Sequence, residues 1–290
     1  MFSYRHSYHA GNHADVLKHI TQVAALRYLL SAKDTPLMLI DTHAGTGMYR
    51  LDGDEAGTSG EAAEGIAPLW EQHAAQPQKA PDALRHYLEL IAQFNPNGKL
   101  RKYPGSPAIA AHLMRDQDLL RLFELHPVDG RLLGNNMQEL IRDDQLQIVR
   151  NNGFTGLKTL LPPPSRRAMV LIDPSYELKT DYGQVVSTLQ DALQRFATGC
   201  YMVWYPVIPR PESHGLPRRL KQLAQQAGKN WLHATLSIGR AEEGRDGLRA
   251  SGMFVVNPPF VLKAELNAAL PAVMKTLRRG TGAAWSVEGS

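Results

Sequence analysis

Short apolar runs bounded by turn residues alternate along the chain with longer amphipathic stretches, the pattern of a parallel sheet covered by helices. Seven such runs predict strands over residues 37–40, 119–123, 146–149, 169–172, 201–204, 234–238 and 253–256. Helical periodicity is clearest over 14–30, where Val16, Ile20, Val23, Leu26 and Leu30 recur at spacings of three and four. The alternation breaks over residues 51–103. That stretch begins Gly-rich and acidic and then offers only helical spacing, as in Leu84, Tyr87, Leu88, Ile91 and Phe94. The pattern predicts a doubly wound α/β domain over 1–50 and 104–290, interrupted by a small helical subdomain over 51–103. The exit Tyr103-Pro104-Gly105-Ser106-Pro107 is turn chemistry that closes the insertion.

Composition narrows the classes. At 290 residues, 43% hydrophobic and 21% charged, the chain can bury a core and solvate a surface, which excludes wholesale disorder. No run approaches the roughly 18 apolar residues of a membrane span, and the start lacks the basic-then-apolar shape of a signal peptide, so a cytoplasmic protein is expected. The single cysteine, Cys200, cannot form an internal disulfide and lies in an apolar run, where it reads as core. Net charge is only +4, compatible with a polyanionic partner without requiring one. The distribution is more telling. Arg5, Lys18, Arg27 and Lys33 face Asp15 alone among the first 33 residues, and Arg210, Arg218, Arg219 and Lys221 open a second basic stretch. Asp52, Asp54, Glu55, Glu61, Glu64 and Glu71 fall where Lys and Arg are absent, so that segment is expected to face away from nucleic acid.

The first predicted strand runs into Asp41-Thr42-His43-Ala44-Gly45-Thr46-Gly47, placing Gly45 and Gly47 at a tight turn where backbone can approach a ligand. A dinucleotide fingerprint needs a small residue where Arg50 stands, which disfavours nicotinamide or flavin. Asp41 before Gly-x-Gly instead matches the loop of S-adenosylmethionine sites. Glu124 closes the second strand, where a carboxylate can accept both hydroxyls of an adenosine ribose, and Asn152 follows the third, where its amide oxygen can accept from an adenine amine. The sharpest feature is Asp173-Pro174-Ser175-Tyr176 after the fourth strand. It resembles the Asp-Pro-Pro-Tyr motif of amino-directed adenine and cytosine methyltransferases. An exocyclic amine shares its lone pair with the ring and is a poor nucleophile until acceptors reshape it. Asp173 and the Pro174 carbonyl can take its two hydrogens, and Tyr176 can stack on an extruded base. The alternative is a plain strand-ending Asp-Pro turn. A second match, Asn257-Pro258-Pro259-Phe260, closes the last strand and is out of order for catalysis. His9 and His13 lack the companion ligands of a zinc site, so no metal is expected.

Four segments together resemble the RlmJ family, bacterial methyltransferases that make N6-methyladenine in 23S ribosomal RNA. They are residues 2–19, Asp41-Thr42-His43-Ala44-Gly45, Tyr103-Pro104-Gly105-Ser106-Pro107 and Asp173-Pro174-Ser175-Tyr176-Glu177. The likeness spans essentially the whole chain, and Ser175 and the Asn151-Asn152 pair depart from the pattern. The resemblance implies a Rossmann-like S-adenosylmethionine-dependent methyltransferase fold, with a seven-stranded, mostly parallel sheet and a helical insertion. It also implies cofactor contacts at His19, His43, Ser106, Glu124, Asn152, Gly153 and Asp173, catalysis at Asp173, and an RNA role for Tyr4. With Tyr4, His6 and Lys18 combine an aromatic face with positive charge, and Lys18 is expected to meet RNA phosphate. The expected partner is 23S rRNA, protein-free or in an early assembly intermediate, met by a monomer. A DNA adenine N6-methyltransferase and a catalytically idle RNA-binding protein on the same fold remain the alternatives.

Overall fold

The computed structural model describes residues 8–52, 60–239 and 247–290. Its centre is an eight-stranded sheet, one strand more than expected. In chain order the strands are β1 (Met38–Asp41), β4 (Leu119–Phe123), β5 (Leu146–Val149), β6 (Ala168–Ile172), β7 (Cys200–Pro206), β8 (Trp231–Ser237), β9 (Ala250–Val256) and β10 (Ala284–Gly289); β2 (Met48–Arg50) and β3 (Lys102–Pro104) form a separate ribbon. The spatial order is β10-β8-β9-β7-β6-β1-β4-β5. The five strands from β7 to β5 are parallel, and β9, β8 and β10 pair antiparallel beyond them. The unforeseen strand is β10. It sits at the sheet edge with only Trp285 and Val287 packed against the core, too weak an alternation to separate from a polar tail.

Both faces of the sheet's centre are covered, so β6 and β7 read as continuous apolar runs rather than alternating with polar residues. Leu37, Leu39, Met169 and Leu171 enter one core cluster, while Met38, Ile40, Val170 and Ile172 enter the other, as the two-residue period of a strand dictates. The helices are α1 (His13–Ala32), α2 (Ile66–Ala75), α3 (Asp82–Gln93), α4 (Ser106–Leu113), α5 (Pro127–Gln138), the single turn α6 (Gly153–Gly156), α7 (Lys179–Arg195), α8 (Pro211–Gln226) and α9 (Leu262–Leu277). Asn12 caps α1, its side chain accepting from the amides of Ala14 and Asp15.

The insertion is rooted in the β2–β3 ribbon, which pairs Met48 with Pro104 and Arg50 with Lys102. Its Ile66, Leu69, Leu84, Tyr87 and Ile91 share one core cluster with Val16, Ile20 and Val23 of α1. The insertion therefore covers the outer face of α1, and that helix is buried all round from His13 to Leu26 instead of presenting a wet side. Strand order reverses at β1, whose neighbours are β4 and β6. A ligand crevice is expected outside the carboxyl ends of these strands.

Candidate active site

A cavity of about 640 Å³ opens there, inside the roughly 300–1,000 Å³ range of small-molecule sites. Its floor is the turn after β1. Gly45 has φ of 60°, and a side chain there would meet the Tyr49 hydroxyl at 2.5 Å, so glycine is required. The Gly45 amide donates to Glu124 Oε2 at 2.8 Å and the His126 amide to Oε1 at 2.7 Å. These bonds fix the carboxylate at the end of β4 and leave lone pairs facing the cavity. Burial pushes the Glu124 pKa up. Gly153 starts α6 so close to β1 that a Cβ would stand 1.9 Å from the Thr42 carbonyl oxygen. Asn152 caps that turn, its Oδ1 accepting from the Phe154 amide at 2.9 Å, so the oxygen expected on an adenine amine is already shared.

Asp41 lies behind this wall. Its carboxylate accepts from Ser106 Oγ at 2.7 Å and from the His43 amide at 3.0 Å, and burial pushes its pKa up to about 6. His43 is held neutral by burial, its pKa lowered to about 3. Thr42 gives its hydroxyl hydrogen to the Leu171 carbonyl, so its oxygen accepts from His43 Nδ1 at 2.8 Å. The other ring nitrogen of His43 is thereby left as an acceptor. His19 Nδ1 bonds the Tyr103 hydroxyl, which bonds that of Tyr87, each at 2.8 Å. The chain ties the insertion to the cavity lining.

At the far end stands Asp173, carried by the end of β6. Lys18 Nζ lies 2.7 Å from Asp173 Oδ2 and 2.8 Å from Asp15 Oδ1. Burial alone would lower the Lys18 pKa, but the two carboxylates outweigh it and hold it well above its ordinary value. This corrects the expectation for Lys18. At 4% exposure and engaged by two acids, it cannot meet an RNA phosphate; it orients Asp173 instead. The aromatic reading is narrowed as well. Tyr176 is 2% exposed, has φ of 54°, and its hydroxyl donates to the Trp204 carbonyl at 2.6 Å. It lines the same cavity with its hydroxyl engaged in bracing the loop, so only a narrow part of its ring is open to a base.

His19, His43, Gly45, Ser106, Glu124, Asn152, Gly153, Asp173 and Pro174 all line the one cavity. Gly47 does not. Its φ of 75° and a Cβ position 2.9 Å from Leu133 make it a packing glycine. Tyr4 and His6 lie outside the described residues. Asn257 donates to the carbonyls of Ala197 and Gly199, a structural role consistent with its exclusion. Cys200 is buried, its thiol pushed up to about 12. The acidic insertion does not simply face away. Glu61 lines the cavity and pairs with His9 at 2.8 Å and Asn12 at 2.9 Å. Sequence reasoning also missed Asp15, Trp204 and Arg210 in the lining; the acid three residues before Lys18 was the one available signal.

A family model described as "Ribosomal RNA large subunit methyltransferase D, RlmJ" matches residues 34–288. A protein of Escherichia coli strain K12 named Ribosomal RNA large subunit methyltransferase J is 44% identical over 283 residues, covering 97% of this chain and 96% of that one. The Haemophilus influenzae protein of the same name is 43% identical, with 99% and 98% covered. A crystal structure of a Legionella pneumophila protein, 32% identical, superposes with a TM-score of 0.83 over 97% of this chain and 98% of its own.

Proposed function

The chain belongs to the RlmJ family of ribosomal RNA large subunit methyltransferases, and on that premise we propose that it methylates N6 of one adenine in 23S rRNA with S-adenosylmethionine as donor. The observation that carries the reading is a single cavity running from Gly45 and Glu124 at one end to Asp173 and Pro174 at the other. The lining fits an adenosine cofactor. Gly45 and Gly153 bring bare backbone to the lining, and Glu124 is pinned by two amides with acceptor capacity to spare for ribose hydroxyls. When bound, the cofactor supplies an electrophilic methyl group on a sulfonium.

The protein's part is positioning and electrostatics. Lys18 holds Asp173 Oδ2, which leaves Oδ1 to accept one hydrogen of the target amine. The carbonyl of Pro174, which lines the cavity beside Asp173, takes the second. Drawn out of the ring plane, the N6 lone pair becomes available for the new bond to carbon, and the proton the nitrogen then sheds has Asp173 as its nearest acceptor. A stacked adenine cannot reach this depth, so the base must leave its helix or arrive unpaired. RNA sequence is more readable in loops than in the narrow A-form groove. We take the substrate to be protein-free rRNA or an early assembly intermediate, met by a monomer in the cytoplasm. Among the described residues no helix is long and apolar enough to cross a membrane.

The test compares methyl incorporation into a protein-free 23S transcript and into duplex DNA, with mass-spectrometric mapping of the product. N6-methyladenine at one rRNA position is expected. Preference for the DNA would favour the other enzyme class, and cofactor binding without turnover on any RNA would favour an idle RNA-binding protein.

A further inference from the structure

Few large apolar side chains stand exposed among the described residues, and two of them, Leu178 at 65% and Leu125 at 49%, line the cavity. They occupy opposite ends of it. Leu125 follows Glu124 at the ribose end, whereas Leu178 lies five positions beyond Asp173, on the stretch that leads from the acceptor loop into α7. Leu178 belongs to neither hydrophobic cluster, so the fold gains nothing evident from it. Its backbone is nonetheless fixed. It occupies the N-cap position of α7 with φ of −89° and ψ of 133°, makes no side-chain cap bond, and its carbonyl accepts from the Asp181 amide at 3.0 Å. Asp181 and Gln184, in the first turns of that helix, also line the cavity.

The charges around Leu178 decide what it can touch. Glu177 precedes it, and both Glu177 and Asp181 line the cavity. A phosphate entering the cavity beside Leu178 would meet these carboxylates; the cations nearby are Lys179, exposed next in the chain, and Arg210, which donates to the Tyr176 carbonyl at 3.3 Å. A base has an uncharged face, and an apolar side chain held out from the start of a helix suits it. Proteins that open stacked nucleic acid insert leucine and similar residues between bases for this reason.

Resting on the methyltransferase reading above, we infer that Leu178 is an RNA-positioning residue. It fills the gap left in the stack when the target adenine swings into the cavity, and packs against the neighbouring base. The start of α7 fixes the backbone from which the side chain projects before RNA arrives, so less ordering is left to the encounter.

The experiment uses the full chain and two RNA fragments carrying the adenine mapped in the 23S transcript. In one the adenine is base-paired; in the other the opposing nucleotides are deleted. Leu178→Ala is expected to lower kcat/KM on the paired fragment about tenfold, the order that burial of most of a leucine side chain contributes. On the unpaired fragment it should stay within about twofold of wild type, because no gap needs holding there. Leu178→Met should restore most of the loss, and thermal stability and cofactor affinity should not move. Wild-type rates on the paired fragment, or an equal loss on both fragments, would overturn the inference. Failure of the unmodified protein to methylate the transcript or either fragment would instead refute the underlying reading, and it would be seen without any substitution.

Discussion

Asp41→Asn offers the most quantitative test of how the cavity wall is built. The carboxyl is 4% exposed, and burial raises its pKa from 3.8 to about 6. A carboxyl that protonates more readily folded than unfolded favours the native state at low pH. That advantage is complete below the unfolded value and is lost as pH rises through the folded one. At about 1.4 kcal/mol per pH unit, keeping Asp41 ionised costs the fold about 3 kcal/mol at neutral pH. Asparagine removes the charge and keeps the geometry. Its oxygen can still accept from the His43 amide, and its NH₂ can donate to Ser106 Oγ once that hydroxyl turns to accept. Some charge-assisted bonding is lost, so the net gain should be about 1–3 kcal/mol near pH 8. The gain should shrink toward zero near pH 4, with most of the change below about pH 6. The neighbouring His43 titrates at about 3, and whatever it contributes cancels in the difference between variant and wild type. Urea unfolding at a series of pH values, read as the midpoint at constant slope, measures this directly. Parallel stability curves for the two proteins would refute the account, because the difference must open between the unfolded and folded pKa values if burial of that charge is its source.

Three further substitutions probe the site. Asp173→Ala should abolish most turnover and leave cofactor affinity largely intact, because the acceptor acts on the target amine; single-turnover assays beside calorimetry check it, and near-wild-type turnover would move the active site elsewhere. Glu124→Gln should weaken cofactor binding by about 1–3 kcal/mol, with little change of rate at saturation, since the amide also turns a donor toward one of the two amides it now accepts from; equal affinity by calorimetry would make Glu124 an ordinary rim carboxylate. Asn257→Ala should cost about 1–3 kcal/mol of stability by leaving two backbone carbonyls without their donor, while turnover per folded molecule stays at the wild-type value; a selective loss of kcat would reopen the second motif as a catalytic loop.

The parts legible in the sequence were those governed by short-range rules. Two-sided burial writes continuous apolar runs, so seven strands of the main sheet were found within a few residues of their true limits. The acids that close β1, β4 and β6 were visible because each interrupts such a run. What failed depended on contacts between distant segments. Lys18 looked like a solvated cation on an amphipathic helix because nothing in residues 14–30 announces that the insertion covers the outer face of α1. Once α1 is enclosed, a lysine there needs carboxylates, and Asp173 lies 155 positions away. Tyr176 misled in the same manner. Its place in the tetrapeptide suggested an open ring, whereas a left-handed backbone turns it inward to bond the Trp204 carbonyl.

The charge of the cavity bears on how one site can serve a cationic cofactor and a polyanionic substrate. Among the described residues seven carboxylate residues line it against Lys18 and Arg210, and Lys18 is already committed to Asp15 and Asp173. A site of this sign attracts a sulfonium and repels phosphate. The described lining therefore suits the uncharged face of an extruded adenine better than the phosphate backbone. On this account the salt dependence of RNA binding is expected to belong to basic residues outside the described lining, a prediction checked by measuring its slope in charge-removing variants. Arg218 and Arg219 on α8, both exposed, are cations of that kind, carried by a helix whose N-terminal flank, Arg210, reaches the cavity itself.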